Sequence, residues 1–162
     1  MADATSASLL LRFEIEDLYA RYSACVDGGQ LEAWPDFFVD DCIYRVIPRE
    51  NFERGLPLAT LAFESKGMLR DRVYAATQTL FHQPYYQRHI VSGLRILGED
   101  AGIVRTEANY LVIRTKTGEL SEVFNTGRYL DKLVREDGEL KFAERLCIFD
   151  SELIANSLIY PI

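Results

Sequence analysis

Four long stretches that read as β-strands fill the second half of the chain and constrain its fold more than any other feature. Each is rich in β-branched and aromatic residues, and the glycine-containing turn signals GEDAG, KTGE and EDGE separate them. Short turns of this kind join neighbouring antiparallel strands. The predicted strands are Tyr86–Leu97, Ile103–Thr115, Leu120–Val134 and Leu140–Asp150.

The first half of the chain reads as mainly helical. An apolar stripe with spacings of four, three, four and four residues predicts an amphipathic helix that ends at Asp27-Gly28-Gly29. A short helix is predicted at LEAWPDFF, with Trp34, Phe37 and Phe38 on one face, and then a strand at DDCIYRV. A polar connection and one or two helical segments over 58–81 follow, with a break at Gly67. The stripe consists of Leu11, Ile15, Leu18, Tyr22 and Val26.

Helices followed by a meander of long antiparallel strands are the pattern of an α+β domain. Strands of this length can curl around a helical layer, so we expect a cystatin-like cone with the N-terminal helices packed on a curled, mainly antiparallel sheet. A length of 162 residues fits a single domain, 1–162. Residues 1–8 are expected to form a flexible N-terminus.

Charge and composition exclude several classes of partner. The net charge of −7 argues against nucleic acid and against an anionic membrane surface, because both need a basic patch. No run of about 18 apolar residues predicts a membrane span. The N-terminus has no basic region typical of a secretory signal, and three widely spaced cysteines fit reduced thiols, so we expect a cytoplasmic protein.

Apolar residues are left over on the predicted sheet and at the chain end. In Leu120–Val134, Phe124, Leu130 and Val134 share one face, while Val123, Tyr129 and Leu133 share the other. The closing LIANSLIYPI is uncharged. A strand with two apolar faces and an apolar tail favour cover from another chain. A tail that folds back on its own sheet remains the alternative.

Both histidines lie in FHQPYYQRHIVSG, and they do not form a convincing metal site. Catalytic zinc or iron needs about three protein ligands, and neither HExxH nor paired Cys-x-His and Cys-x-x-His motifs occur. Asp40 and Asp41 point to opposite strand faces. Glu144 is placed on the face of Phe142, either as a pocket acid or as a buried partner of an arginine such as Arg88, Arg128 or Arg145. His89 is expected to be a hydrogen-bonded interface or surface residue.

Several segments resemble the small (β) subunits of aromatic-ring-hydroxylating dioxygenases. They are EAWPDFFVDDCIYRV, MLRDRVY, YYQRHIV and TGRYLDKLV, in this order over about Ile15 to Ile162. The segments PRENFERGLPL, PYYQRHIV and NSLIYPI are especially similar to the small subunits of salicylate 5-hydroxylases. More distant similarity extends to the anthranilate, benzoate and terephthalate dioxygenases.

The resemblance implies a structural rather than a catalytic chain. It implies a nuclear-transport-factor-2-like fold and a trimeric base beneath three large (α) subunits, an α3β3 assembly. The Rieske [2Fe–2S] cluster and the mononuclear Fe(II) then belong to the large subunit, and no cofactor, metal or catalytic residue is expected here. The substrate class implied is an aromatic carboxylate of the salicylate, anthranilate or benzoate type.

The candidate structural or subunit-interface residues are Tyr86, Arg88, His89, Tyr129, Tyr160 and Ile162. Tyrosine and arginine are favoured interface anchors because each offers a large contact area with a polar tip. Two alternatives stay open. One is a free-standing isomerase or dehydratase of the same fold, which would use His89 with Glu144 or Asp41. The other is a binding module without enzymatic activity.

Overall fold

Helix α1 spans Ala2–Asp27 and covers one face of the sheet. A computed structural model describes residues 2–154 and 157–162, with side chains from residue 6 onward. Of the apolar stripe, Ile15, Leu18, Tyr22 and Val26 are buried and Leu11 is partly buried, as predicted. The side chains of residues 6–10 are exposed, and flexibility of residues 1–8 stays a prediction.

The end of α1 is a Schellman motif. The amide of Gln30 donates to the carbonyl of Cys25 at 3.0 Å, and the amide of Gly29 donates to the carbonyl of Val26 at 3.1 Å. Gly29 has a φ of +71°, the left-handed conformation that glycine adopts without steric cost. This geometry stops the helix at Asp27 and turns the chain toward the core.

The predicted short helix, the first strand and the meander of long strands occur in the predicted order, with α2 and β2 as additional elements between them. A 3₁₀ helix at Leu31–Phe37 precedes β1 and α2, and three short elements lead to the meander of long strands. No helix in the described part of the chain is long and apolar enough to cross a bilayer. The bounds are β1 Phe38–Pro48, α2 Arg49–Glu53, β2 Leu61–Phe63, α3 Lys66–Tyr74, a π-helical turn Ala75–Thr79, β3 Tyr85–Asp100, β4 Ile103–Lys116, β5 Glu122–Glu136 and β6 Glu139–Phe149.

Three predictions about the first half are wrong. The polar connection after β1 contains the helix α2, and the segment expected to be helical from Leu58 begins with strand β2. Gly67 does not break a helix, because it lies in the first turn of α3. Ser65 caps that helix, and its hydroxyl accepts a hydrogen bond from the amide of Met68 at 3.2 Å.

The six strands form one mixed sheet in the order β2-β1-β6-β5-β4-β3. All neighbours are antiparallel except β1 and β6, which run parallel. Bulges interrupt the ladders in β3, β5 and β6. Because a bulge bends its strand and increases its twist, these irregularities curl the sheet. The α+β cone predicted from the sequence is confirmed.

The core lies between α1, the 3₁₀ helix and one face of the sheet. In β4 the predicted core face, Val104 to Val112 in steps of two, is buried. Trp34 is fully buried, its indole N–H donates to the Tyr22 hydroxyl at 3.0 Å, and its ring meets Tyr44 edge-on at 5.2 Å. Phe38 is also fully buried, so this aromatic group attaches the 3₁₀ helix to the core as expected.

Candidate functional site

The segment FHQPYYQRHIVSG, which contains both histidines, lies partly in a loop and partly in β3. Phe81 and His82 lie in the loop that precedes the strand, and residues from Tyr85 onward belong to it. Within the strand Gln87 and His89 are buried on the core side, whereas Tyr86, Arg88 and Ile90 are exposed on the other side. The predicted alternation of the two faces is confirmed. His89 is therefore an interior residue of its own chain and not a surface one.

His89 pairs with Asp27, the last residue of α1. Its Nδ1 lies 2.6 Å from Asp27 Oδ1, and its amide N–H donates to Asp27 Oδ2 at 2.8 Å. The carboxylate thus binds both the ring and the main chain of His89. A carboxylate at a helix C-terminus is opposed by the helix dipole, so this partner offsets an unfavourable position.

Asp27 is the functional candidate that sequence reasoning missed. Its sequence context predicts only the end of α1, and the partners predicted for His89 are Glu144 or Asp41. Asp27 and His89 are 62 residues apart, and no local pattern predicts their pairing. The available signal was the acidic residue at the C-terminal end of a helix, where a carboxylate without a partner is disfavoured.

Asp27 and His89 are residue types that can form an acid–base dyad, but the imidazole of His89 is not accessible to a substrate. The side chain of His89 is 0% exposed, and its Nε2 is buried without a hydrogen-bond partner. A groove of about 350 Å³ between α1 and β3 borders His89. Because the side chain of His89 is enclosed, only its main chain faces this groove. A general base must come within hydrogen-bond reach of its substrate, and this imidazole does not.

Glu144 and Asp41 are not brought to His89. Asp41 is exposed on β1, four strands away from β3 in the sheet. The register of β6 shifts between Phe142 and Glu144, so Phe142 faces the core while Glu144 lies outside with Lys132 at 3.0 Å. The expectation that Glu144 shares the face of Phe142 is wrong, because the bulge reverses the alternation of the strand.

The buried ion pair of the cone is formed by Arg145 instead. Its Nε and Nη2 donate to the two carboxylate oxygens of Asp131 at 3.1 and 2.8 Å. The Tyr19 hydroxyl donates to the same carboxylate at 2.5 Å, and burial, together with the charge of Asp131, raises the pKa of Tyr19. Desolvation would lower the pKa of Arg145, but the charge and hydrogen bonds of Asp131, together with Tyr22 and Tyr129, outweigh it, and the pKa is raised.

Four aromatic rings enclose this guanidinium. Its carbon atom lies between 4.0 and 4.9 Å from their centroids, the distance of cation–π contact. Tyr129, a candidate structural or interface residue, is one of them and is 1% exposed, so it lies in the core of its own chain. The rings belong to Tyr19, Tyr22, Tyr129 and Phe142.

The tail folds back into its own chain. Ile162 is fully buried, and its carbonyl oxygen accepts hydrogen bonds from the hydroxyls of Tyr22 at 2.8 Å and Tyr44 at 3.2 Å. Arg72 donates to the carbonyls of Leu158 and Ile159. The alternative in which the tail covers its own fold therefore holds for residues 157–162, and Ala155 and Asn156 lie outside the described residues.

The exposed side of β3 continues into a shared apolar surface. Cross-strand register places Ile90 beside Leu111, Arg88 beside Ile113, and Ile113 beside Val123. Tyr86 is 78% exposed and Val123 is 64% exposed. We name this surface the outer patch; it consists of Tyr86, Arg88, Ile90, Leu111, Ile113 and Val123.

The metal-binding capacity of this chain does not fit a Rieske cluster or a mononuclear iron. Among the described residues, no group of three or more His, Cys, Asp and Glu side chains is placed to hold a metal ion. His89 uses Nδ1 for Asp27, and the three cysteines are buried free thiols. Burial raises the pKa of Cys42 to about 11 and that of Cys147 to about 12, which disfavours the thiolates that a metal needs.

Sequence comparison gives the same picture as the fold. Residues 7–146 match the family model of a SnoaL-like domain. The chain is 35% identical over 150 residues to the small subunit of anthranilate 1,2-dioxygenase from Burkholderia cepacia, with 93% of each chain covered. It is 33% identical to subunit beta 1 of the terminal oxygenase component of terephthalate 1,2-dioxygenase from a Comamonas species, over 95% of this chain and 100% of the relative.

Structural comparison agrees. A crystal structure described as the beta subunit of an aromatic-ring-hydroxylating dioxygenase from Novosphingobium aromaticivorans has a TM-score of 0.88 to this chain and 37% sequence identity. The match covers 96% of this chain and 99% of that chain. With the cone-shaped fold, the SnoaL-like match and relatives aligned over almost their full length, the chain belongs to the small (β) subunits of the aromatic-ring-hydroxylating dioxygenases.

Proposed function

We propose that this chain is the structural base of a Rieske non-haem iron oxygenase, acting in the cytoplasm on an aromatic carboxylate. In this proposal the Rieske cluster and the mononuclear iron are bound by a large subunit, and the two subunits assemble as α3β3. The relatives above are named for anthranilate and terephthalate, rings that carry a carboxylate. This supports the substrate class but does not identify one substrate.

The observation that carries a structural role is the filled interior of the cone. Tyr22, Trp34, Tyr44 and Phe142 are at most 1% exposed, and Ile162 packs among them. The imidazole of His89 is enclosed as well. An enzyme of this shape that used His89 would need open space beside its imidazole, and here the chain's own side chains take that space.

The outer patch supports self-association. Tyr86, Ile90 and Val123 are 78%, 47% and 64% exposed, so the patch presents large apolar side chains to solvent in the single chain. Obligate interfaces commonly bury more than about 2,000 Å² and are apolar at their centre. We propose that the outer patch, with Tyr86 and Arg88 as anchors, is buried between subunits, whereas Tyr129 and Ile162 stabilise the fold of the single chain.

Mutation of Ile90 tests this assignment. Ile90→Glu places a carboxylate in the outer patch, where burial of an unpaired charge opposes association. We expect the dissociation constant of the assembly to rise at least about tenfold, as for an interface residue that contributes more than about 1.4 kcal/mol. Native mass spectrometry and light scattering of the chain, alone and with its large subunit, measure the effect.

Leu58→Glu is the matched control. Leu58 is 73% exposed and precedes β2, at the opposite edge of the sheet from β3. We expect this variant to assemble as the unmodified chain does. A chain that stays monomeric at micromolar concentration with the large subunit present, or equal effects of the two substitutions, would refute the proposed interface.

A further inference from the structure

A second cavity lies at the mouth of the cone, apart from the enclosed imidazole of His89. It forms where the end of α1, the π-helical turn, the start of β3 and the tail meet, and its volume is about 420 Å³. Ligand pockets typically measure about 300–1,000 Å³. The cavity is therefore large enough for a single aromatic ring with small substituents.

One wall of this cavity is aromatic. The rings of Tyr85 and Tyr160 lie with centroids 4.7 Å apart, and the ring of His82 lies 5.2 Å from that of Tyr160. All three residues line the cavity. Aromatic walls favour planar apolar ligands, which can pack against them face to face or edge to face.

Gln87, which lines the cavity, has a buried side-chain oxygen without a hydrogen-bond partner. Gln87 is 4% exposed, and its Nε2 donates to the carbonyl of Pro161 at 3.4 Å. Its Oε1 has no hydrogen-bond partner, and neither has the buried Nε2 of His82. An unsatisfied buried acceptor is unfavourable, so a ligand that donates a hydrogen bond to Gln87 would gain more than an ordinary surface contact.

The charges of the lining select against anions. Asp27 is its one acidic residue, both of its oxygens already bind His89, and neither lysine nor arginine lines the cavity. A carboxylate ligand would meet no cation here. Aromatic carboxylates, the substrate class proposed for the assembly, are therefore poor candidates for this position.

We propose that the cavity binds an uncharged aromatic ring that carries a hydroxyl group, a phenol, with the hydroxyl donating to Gln87 Oε1 and the ring packed against Tyr85 and Tyr160. This site goes beyond the structural role, because all its lining residues belong to the small subunit, Tyr86 of the outer patch among them, and it does not depend on the iron centres. It would respond to a hydroxylated ring rather than to the carboxylate substrate.

The test is fluorine NMR with three matched probes on the full chain: 4-fluorophenol, 4-fluoroanisole and 4-fluorobenzoate. We expect saturable binding of 4-fluorophenol. Binding of 4-fluoroanisole, which lacks the donor, and of the anionic 4-fluorobenzoate should each be about tenfold weaker. Gln87→Leu should weaken binding of 4-fluorophenol about tenfold, the usual effect of losing one buried hydrogen bond.

Two further variants keep the test decisive. Thr77→Leu narrows the cavity at its exposed rim and leaves Gln87 unchanged, so it should also weaken the binding of 4-fluorophenol. Ser92→Ala, in the groove between α1 and β3, is the control and should leave this binding unchanged. The proposal would be overturned by equal affinity for all three probes or by no binding of 4-fluorophenol. It would also be overturned if neither Gln87→Leu nor Thr77→Leu changed the affinity for 4-fluorophenol. Ile90→Glu should leave phenol binding unchanged, which separates this site from the assembly.

Discussion

Replacing Asp131 by asparagine is expected to lower the free energy of unfolding by about 3–5 kcal/mol. The substitution keeps the shape of the side chain but removes the charge that faces Arg145. The side chain of Arg145 is only 1% exposed. An uncompensated buried cation is costly, and the four surrounding rings replace only part of the lost interaction. Urea denaturation at a fixed chain concentration measures the loss.

The same two strands supply a control for this prediction. Lys132 and Glu144 form the ion pair one residue further along, on the outer side of the sheet, with Lys132 about half exposed. Glu144→Gln should cost no more than about 1 kcal/mol, because exposed pairs are screened by solvent. Equal losses from Asp131→Asn and Glu144→Gln would mean that burial does not set the value of the Arg145 pair.

Trp34→Ala is expected to lower the free energy of unfolding by about 3–5 kcal/mol as well. The ring is fully buried, so truncation leaves a large cavity between α1, the 3₁₀ helix and β1. It also removes the donor to Tyr22, whose hydroxyl in turn donates to Ile162. The loss should therefore extend to the anchoring of the tail.

Two companion variants separate the contributions of Trp34. Trp34→Phe keeps most of the packing and loses the hydrogen bond, so we expect a smaller loss of about 1–2 kcal/mol. Phe13→Ala removes a ring that is 71% exposed and should change stability by less than about 0.5 kcal/mol. A thermal midpoint unmoved by Trp34→Ala would contradict the packing described here.

Residues with local periodicity were predicted well from the sequence. The stripe of α1 and the alternation of β3 and β4 match the structure because burial on one face imposes a fixed period on apolar residues. The four long strands begin and end within three residues of their predicted bounds. Tyr129 and Leu133 are buried while Leu130 and Val134 are partly exposed, so β5 does carry apolar residues on both faces.

The errors have a common physical origin in bulges and long-range pairing. A bulge in β5 places Phe124 and Asn125 together in the core and leaves Val123 outside. The corresponding shift in β6 places Glu144 on the opposite face from the predicted one. A regular alternation cannot anticipate an extra residue. The pair Asp27–His89 depends on which strand packs against the end of α1, and the pair Asp131–Arg145 depends on the register that the bulge sets between β5 and β6. Local sequence contains neither.

The packing of the tail also depends on long-range contacts that local sequence does not contain. Its apolar composition correctly indicated burial but not which surface would bury it. Intramolecular hydrogen bonds from Tyr22, Tyr44 and Arg72 decide the matter in favour of its own chain. The proposed contact between subunits therefore rests on the outer patch, whose four aliphatic members lie on three neighbouring strands.

The central claim, a structural chain without a reactive group, is tested most directly by His89→Gln in the reconstituted complex. Turnover must be measured per assembled complex, with subunit association determined on the same sample. We expect turnover within about twofold of the unmodified complex, even if association or stability is weakened by loss of the contact with Asp27. Intact assembly with turnover reduced by roughly 10²–10⁴-fold, the effect of removing a general acid or base, would contradict the claim.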